Sequence, residues 1–316
     1  MKTKILTSNQ LHEAVRLLHQ GQLVAIPTET VYGLAALISS ESAISSIFTV
    51  KKRPADNPLI VHITSLNQID QIARPPSKLF FQLAEAFFPG PLTIIIPRHR
   101  NLSPLISAGL GSVAIRMPSH PIATDLIQML GAPIVAPSAN LSGRPSATDA
   151  QHVLDDFGQK ISAVIDGGRT TLGVESTVIS LLSDPPVILR PGNITKQEIE
   201  NVLGTTIDVQ ISLQKGPVYS PGMKYRHYAP CIPIKLFYER KQIDSYCKKT
   251  ISNRRMLLST ASLPIANCDH YKLSTKDLYA CFRHAEKNDY SEILIFCDPM
   301  AQSNIALMNR LIKASS

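Results

Sequence analysis

The chain has little that would do chemistry by covalent means. Its five cysteines (Cys231, Cys247, Cys268, Cys281 and Cys297) are odd in number and widely spaced. None stands in a Cys-x-x-Cys pair, which argues against a thiolate zinc cluster or a disulfide framework and for a reducing cytoplasm. Gly-x-Ser-x-Gly and His-Glu-x-x-His are both absent, and no cysteine has an evident activating partner, so no covalent nucleophile is expected. There is no Gly-x-x-x-x-Gly-Lys, and the lone Gly109-Leu110-Gly111 is too little to mark a dinucleotide site. No apolar run approaches the ~18 residues that cross a bilayer. Met1-Lys2-Thr3-Lys4 lacks the apolar core of a signal peptide, so no membrane association is expected.

What is present describes a core-forming globular protein: 316 residues, 44% hydrophobic and 18% charged, long enough for two domains. The net charge of +8 is uneven. Residues 1–205 carry 16 Lys/Arg against 15 Asp/Glu, whereas residues 206–316 carry 16 against 9. The cations of the second part (Lys235, Arg240, Lys248, Arg254, Lys272, Arg283) are scattered, which describes a solvated basic surface better than a nucleic-acid tract.

Apolar periodicity predicts helices over 8–20, 40–50, 76–88, 121–130 and 149–157, the first capped by Ser8 and stopped by Gly21. Thr195 and Glu198 form a capping box for another, through Leu203. Strands are predicted near 24–26, 58–63, 92–96, 112–117, 134–136, 163–166, 177–182 and 187–189. Interleaved elements make an α/β domain, and their uneven spacing predicts hairpins instead of a strict doubly wound order. Residues 206–230 read as a connector, with too many Pro and Gly over 216–230 for a regular element. Beyond them strands at 234–237, 256–259 and 292–297 alternate with helices at 243–249, 275–287 and 303–313, a small β/α unit with a parallel sheet.

Several polar turns interrupt this pattern. Val24 to Ile26 runs into Pro27-Thr28-Glu29-Thr30-Val31-Tyr32-Gly33, which puts hydroxyls, a carboxylate and a phenol at a strand end. Lys51, Lys52, Arg53 and Asn57 crowd a helix terminus before His62, a density of cations suited to phosphate or carboxylate. Pro137-Ser138-Ala139-Asn140-Leu141-Ser142-Gly143 is a small-residue turn that can offer backbone N–H groups to an anion. Glu175-Ser176-Thr177 and Arg190-Pro191-Gly192 repeat the theme. Together they suit a site that binds an anion-rich nucleotide beside a second reactant and works by positioning and charge neutralisation.

These pieces also carry a resemblance. The segments PTETVYGL (27–34), KKRPADNPLIVH (51–62), PGPLT (89–93), VAIRMPSHP (113–121), APSANLSGRPS (136–146), ESTVI (175–179), RPG (190–192), SPGMKYRHYAP (220–230) and ALMNRLIKAS (306–315) resemble the YrdC/Sua5 family. The connector segment marks its two-domain Sua5 form, the L-threonylcarbamoyladenylate synthases. The resemblance implies a YrdC-like twisted mixed-sheet catalytic domain (1–205), a linker or lid (206–230) and a small Rossmann-like α/β C-terminal domain (231–316). It implies that L-threonine, bicarbonate or CO2, and ATP give threonylcarbamoyl-AMP and pyrophosphate, the first step toward N6-threonylcarbamoyladenosine at tRNA position 37. Mg2+ is expected with ATP, downstream threonylcarbamoyl-transfer machinery as partner, and weak tRNA or RNA contact.

By motif position, Thr30, His62, Arg116 and Ser176 are expected to hold threonine, with Ala136 acting through its backbone and Tyr32 shaping the pocket. Lys51, Arg53, Asn57, Ser112, Ser138, Asn140, Ser146 and Arg190 are expected around ATP, with Lys51 and Arg53 positioning it. A nucleotide contact from the connector is open among Tyr225, Arg226, His227 and Tyr228, of which Arg226 and Tyr228 are carried as site residues. Two rival readings are an RNA-binding protein of the same fold without nucleotide turnover, and a carbamoyl-transfer module of the hydrogenase-maturation type. The chain lacks the acylphosphatase and zinc-finger portions of the latter.

Overall fold

The apolar runs become short strands in a computed structural model that describes residues 2–210, 227–250 and 254–315. These residues divide into two units, one within 1–142 and 147–224, the other within 143–146 and 225–316. The strands of the first unit are β1 (Lys4–Leu6), β2 (Val24–Ile26), β3 (Gly33–Leu37), β4 (Ile60–His62), β5 (Leu92–Pro97) and β6 (Ser112–Arg116). They continue with β7 (Ile134–Val135), β8 (Ala163–Ile165), β9 (Thr177–Ser180), β10 (Val187–Arg190) and β11 (Asp208–Val209). One sheet joins them in the order β1-β8-β2-β3-β7-β4-β6-β5-β9-β10-β11. Its pairing is mixed: β4–β6 and β5–β9 are parallel, while β2–β3, β4–β7 and β5–β6 are antiparallel. The sheet is mixed, with a hairpin between β2 and β3, as the uneven strand spacing predicts.

Side chains alternate across a strand, and that alternation gives the sheet two unlike faces. On one face Val61, Ile94, Ile96, Val113, Ile115, Val135 and Ile179 enter the main core. Helices Glu41–Lys51, Lys78–Phe87, Ala150–Phe157 and Lys196–Leu203 bury their apolar stripes against them. On the other face helices Leu11–His19 and Pro121–Leu130 pack over β8, β2, β3 and β7. The rest of that second face carries a small cluster, Ile60, Ile95, Ala114, Val178 and Leu189, drawn entirely from strands. Polar residues of the same strands surround it.

Three local differences from the sequence pattern have simple causes. Ser8 does not cap the first α-helix: Thr7 precedes a 3₁₀ turn at Ser8–Gln10, its N–H donating to Gln10 Oε1, and the α-helix begins only at Leu11. Strand β1 gives no periodic signal because two of its three residues are exposed. Strand β11 lies at the start of the segment expected to be a connector and pairs parallel with β10.

The second unit has strands β12 (Ile234–Phe237), β13 (Arg255–Ser259), β14 (Cys268–Lys272) and β15 (Glu292–Phe296) in the order β12-β15-β13-β14, with every pair parallel. Helices Arg240–Lys249, Leu278–Lys287 and Ile305–Ser315 accompany them. Its core includes Phe237, Ile243, Leu257 and Leu294. Tyr228 is fully buried, stacked on Tyr279 at 5.5 Å with Arg310 over its ring at 5.2 Å. Among the described residues no helix is long and apolar enough to cross a membrane.

Candidate active site

The turn after β2 is built by its own hydroxyls. Thr28 Oγ1 accepts from the N–H groups of Thr30 (3.2 Å) and Val31 (3.3 Å) and donates to the Val31 carbonyl at 2.6 Å. The segment after β8 fixes it from outside: Leu172 N donates to Glu29 O (2.9 Å) and Gly173 N to Thr30 O (3.1 Å). Tyr32 is immobilised below, its OH donating to Gly168 O (2.8 Å) and accepting from Gly167 N (3.1 Å). Burial pushes its phenol pKa up, so it stays protonated. Gly33 lets β3 and β7 close together, since a Cβ there would lie 3.0 Å from that of Ala136.

Strand register then assembles a polar row that crosses the sheet. His62 pairs with Arg116 between β4 and β6. Ile94 pairs with Ile115, so one step along the antiparallel ladder Thr93 faces Arg116. Thr93 pairs with Val178, and Val178 with Arg190. Thr93 and Ser176 share a hydroxyl hydrogen bond of 2.7 Å, and Arg190 grips Ser176 twice, Nε to its carbonyl (3.0 Å) and Nη2 to Oγ (3.1 Å). Gly192 permits this closeness: a Cβ on it would strike the backbone of Glu175, Ser176 and Thr177.

At the centre, Arg116 donates from Nη1 to Thr30 Oγ1 (2.9 Å) and from Nε to Gly90 O (3.3 Å), and its Nη2 lies 2.7 Å from Glu29 Oε1. Burial pushes the Glu29 carboxyl up, but the charge and N–H groups of Arg116 outweigh it and hold the pKa below the usual value. His62 donates from Nδ1 to Ile60 O at 3.2 Å, a carbonyl that also accepts from Ala136 N. That leaves the lone pair on Nε2. Burial, then the charge of Arg116, lowers the His62 pKa to about 3, so the ring is neutral.

A second group gathers around the turn after β7. Lys51 ends its helix fully buried and donates to the carbonyls of Ser138 and Asn140, each at 2.5 Å, while Ser142 N donates to Lys51 O. Burial, then neighbouring Arg53, depresses its ammonium pKa well below normal. Arg53 donates to the carbonyls of Asn57 (3.1 Å) and Pro58 (2.8 Å). Asn57 Oδ1 is buried with no hydrogen-bond partner among the described residues. Ile60 pairs with Ala114, and Ser112 lies two residues before it at the start of β6. Ser112 and Arg116 occupy the two ends of β6, about 13 Å apart at ~3.3 Å per residue.

The structure thus joins Thr30, His62, Arg116 and Ala136 in one cluster and carries Ser176 and Arg190 along the same row. Tyr32 lies beneath the turn, and Lys51, Arg53, Asn57, Ser112, Ser138 and Asn140 form the second group. Ser146 and Tyr228 belong to the second unit. Tyr225 and Arg226 lie outside the described residues. Two residues of the cluster have no place in the sequence-derived set: Glu29, although it stands in the turn singled out there, and Thr93, whose signal is its alternation with Ile94. Among the described residues no group of three His, Cys, Asp or Glu side chains converges as a metal cage would need.

Comparisons with known proteins bear on the same residues. The family model Sua5_yciO_yrdC, described as "Telomere recombination", matches residues 16–192, and that of "Threonylcarbamoyl-AMP synthase, C-terminal domain" matches 194–316. The Bacillus subtilis threonylcarbamoyl-AMP synthase is 42% identical, over 97% of this chain and 93% of its own. The Schizosaccharomyces pombe threonylcarbamoyl-AMP synthase is 35% identical, over 98% and 89%. The crystal structure of P. abyssi Sua5 complexed with L-threonine superposes with a TM-score of 0.90 at 38% identity, over 99% of this chain and 98% of that one.

Proposed function

The chain belongs to the Sua5/YciO/YrdC family in its two-domain threonylcarbamoyl-AMP synthase form, and from that premise we propose how its residues carry the synthesis. The reaction joins L-threonine, bicarbonate or CO2, and ATP into threonylcarbamoyl-AMP and releases pyrophosphate, the first step toward N6-threonylcarbamoyladenosine at tRNA position 37. It is a nucleotidyl transfer. The threonine amine takes up CO2 to give a carbamate and a proton. A carbamate oxygen then bonds to the α-phosphorus as the bond from that phosphorus to the bridging oxygen breaks and pyrophosphate leaves. Neither step needs an enzyme nucleophile, in keeping with the buried, hydrogen-bonded hydroxyls of the site.

The polar row is our threonine site: Arg116 for the carboxylate, with Thr30, His62, Ser176 and the Ala136 backbone around the rest and Tyr32 as a rigid floor. Neutral His62 offers Nε2 as an acceptor and adds no charge. Lys51, Arg53, Asn57, Ser112, Ser138, Asn140, Ser146 and Arg190 take the nucleotide in this reading, with Arg226 and Tyr228 from the connector. Lys51 acts there by shaping the turn, since two of its N–H groups are spent on the carbonyls of Ser138 and Asn140. We take Mg2+ to arrive with the triphosphate as Mg-ATP. The carboxylate of this cluster, Glu29, is engaged with Arg116, and Mg2+ commonly relies on substrate phosphates and water.

We further place the catalytic domain at 1–205, a linker or lid at 206–230 and the C-terminal domain at 231–316. The protein would work in the cytoplasm, pass its product to a threonylcarbamoyl-transfer machinery and touch tRNA weakly at most. The observation that carries the site assignment is the row from His62 through Arg116 and Thr93 to Arg190, built by register. Pyrophosphate release from ATP tests the function: it should depend on both threonine and bicarbonate. Release with neither, or equal release with serine, would reject the threonine site. RNA affinity with no release would favour the binding-protein reading.

A further inference from the structure

Arg116 donates two of its five N–H groups inside the protein, to Gly90 O and Thr30 Oγ1, while its Nη2 lies 2.7 Å from Glu29 Oε1 without closing a hydrogen bond. That leaves one N–H on Nη1 and both on Nη2, enough for the bidentate pair a carboxylate takes. Glu29 is matched in the opposite sense. It is more than nine-tenths buried, at 7% exposure. Its Oε1 lies 2.7 Å from Arg116 Nη2, yet neither carboxylate oxygen has a hydrogen-bond partner among the described residues. The N–H groups of Glu29 itself and of Ser119 act on the carboxylate without closing a hydrogen bond. Buried carboxylate oxygens without a donor are costly, so this carboxylate marks a place where a donor arrives.

We propose that Glu29 and Arg116 together read the zwitterionic head of the amino acid, Arg116 receiving its carboxylate and Glu29 its ammonium. This deepens the threonine-site reading above and rests on it. An ion pair and a zwitterion laid antiparallel put every charge beside its opposite, and both are neutral overall. Bringing them together therefore avoids the cost of burying a lone ion. The neighbours agree: neutral His62 does not repel the ammonium, and Thr30 is bound to the same guanidinium. The pair also discriminates. A hydroxy acid of the same shape would leave two carboxylates to share the one guanidinium of Arg116, with no ammonium to offset their repulsion.

Calorimetric titration of the full chain with L-threonine and with 2,3-dihydroxybutanoate, in which a hydroxyl replaces the ammonium, tests this. The wild type should bind threonine at least about tenfold more tightly than the hydroxy acid. Glu29→Gln keeps the shape and removes the charge. It should weaken threonine by about 10- to 100-fold and leave the hydroxy acid unchanged or tighter, so that the preference vanishes. Equal weakening of both ligands would mean that Glu29 merely holds Arg116 in place, and would overturn the proposal. So would equal affinity of the wild type for both, a result that needs no variant to fold. Arg116→Lys separates the two levels. If it weakens neither ligand, the threonine site itself is misplaced; if it weakens both, the site stands and the Glu29 result decides.

Discussion

Acid should weaken the fold through His62 before it reaches the carboxylates. Above pH 6.5, the ordinary value for the ring, the side chain is neutral whether the chain is folded or not, and it contributes no pH dependence. Below that value the unfolded chain takes up a proton while the folded chain, with its pKa near 3, does not. The unfolded state then binds more protons, so stability falls as pH falls, by up to about 1.4 kcal/mol per unit. From pH 6.5 to 4.5, the ordinary value of Glu29, the loss comes to about 2 kcal/mol. The cause is burial first and Arg116 second. Urea unfolding of the wild type and of His62→Asn from pH 7.5 to 4.5 measures it, since an asparagine amide can still donate toward Ile60 O. The wild type should lose about 3 kcal/mol more than the variant over that range. Parallel stability curves would show that the ring takes its proton inside the fold, and the electrostatic account of the site would fail with them.

Two further outcomes follow from packing. A Cβ at Gly192 would lie 2.3 Å from Thr177 N, 2.7 Å from Ser176 C and 2.8 Å from Glu175 O, all backbone atoms. Gly192→Ala should therefore cost about 3 kcal/mol and abolish pyrophosphate release. Gly111→Ala, with nothing within 4 Å, should change stability by less than about 0.5 kcal/mol; equal melting of the two variants would refute the close-approach argument. In the second unit Arg255 and Glu292 form a buried ion pair at 2.7 Å, with Tyr246 OH on the other carboxylate oxygen. Arg255→Met should cost about 3–5 kcal/mol by leaving Glu292 without its counter-charge, and adding Glu292→Leu should restore most of it. Denaturant unfolding of both singles and the double gives the coupling, and additivity within about 0.5 kcal/mol would reject it.

The elements that the sequence shows most clearly are those whose burial is one-sided. Helix Pro121–Leu130 ends at Gly131 as its pattern predicts, and Glu41–Lys51 begins after Ser40, whose hydroxyl accepts from Ala43 N. Thr195 and Glu198 make the expected capping box. The exposed edge strands β1 and β14 carry too little periodicity to read, because a strand with one partner and open faces need not alternate. Of the site, polar residue types at strand ends were legible, as was the importance of the turn at 28–32. The partners were not. Glu29 meets Arg116 across 87 positions, through the β3–β7, β7–β4 and β4–β6 pairings, and Ser176 meets Thr93 across 83, through the β5–β9 pairing. Lys51 shows the limit from the other side. Its charge and position suggest a phosphate ligand, yet its ammonium is turned onto the carbonyls of the loop that the same reading assigns to phosphate.

That last detail bears on how such a site can be precise without a nucleophile. A flexible lysine reaching out to a phosphate would define the nucleotide's position poorly, since each rotamer places the charge elsewhere. A lysine spent on backbone carbonyls fixes a loop, and the loop's N–H groups then have fixed directions. Arg116 is constrained in the same way by Gly90, Thr30 and Glu29, and Arg190 by Ser176. The cations of both groups are thus held by the protein before any reactant arrives, and β6 separates the two groups by a rigid interval. For a transfer in which a carbamate must meet phosphorus in line, such preorganisation lowers the barrier by removing the search for alignment. It follows that a substitution which keeps the charges but loosens an anchor, such as Gly192→Ala, should damage the reaction as much as removal of the charges themselves.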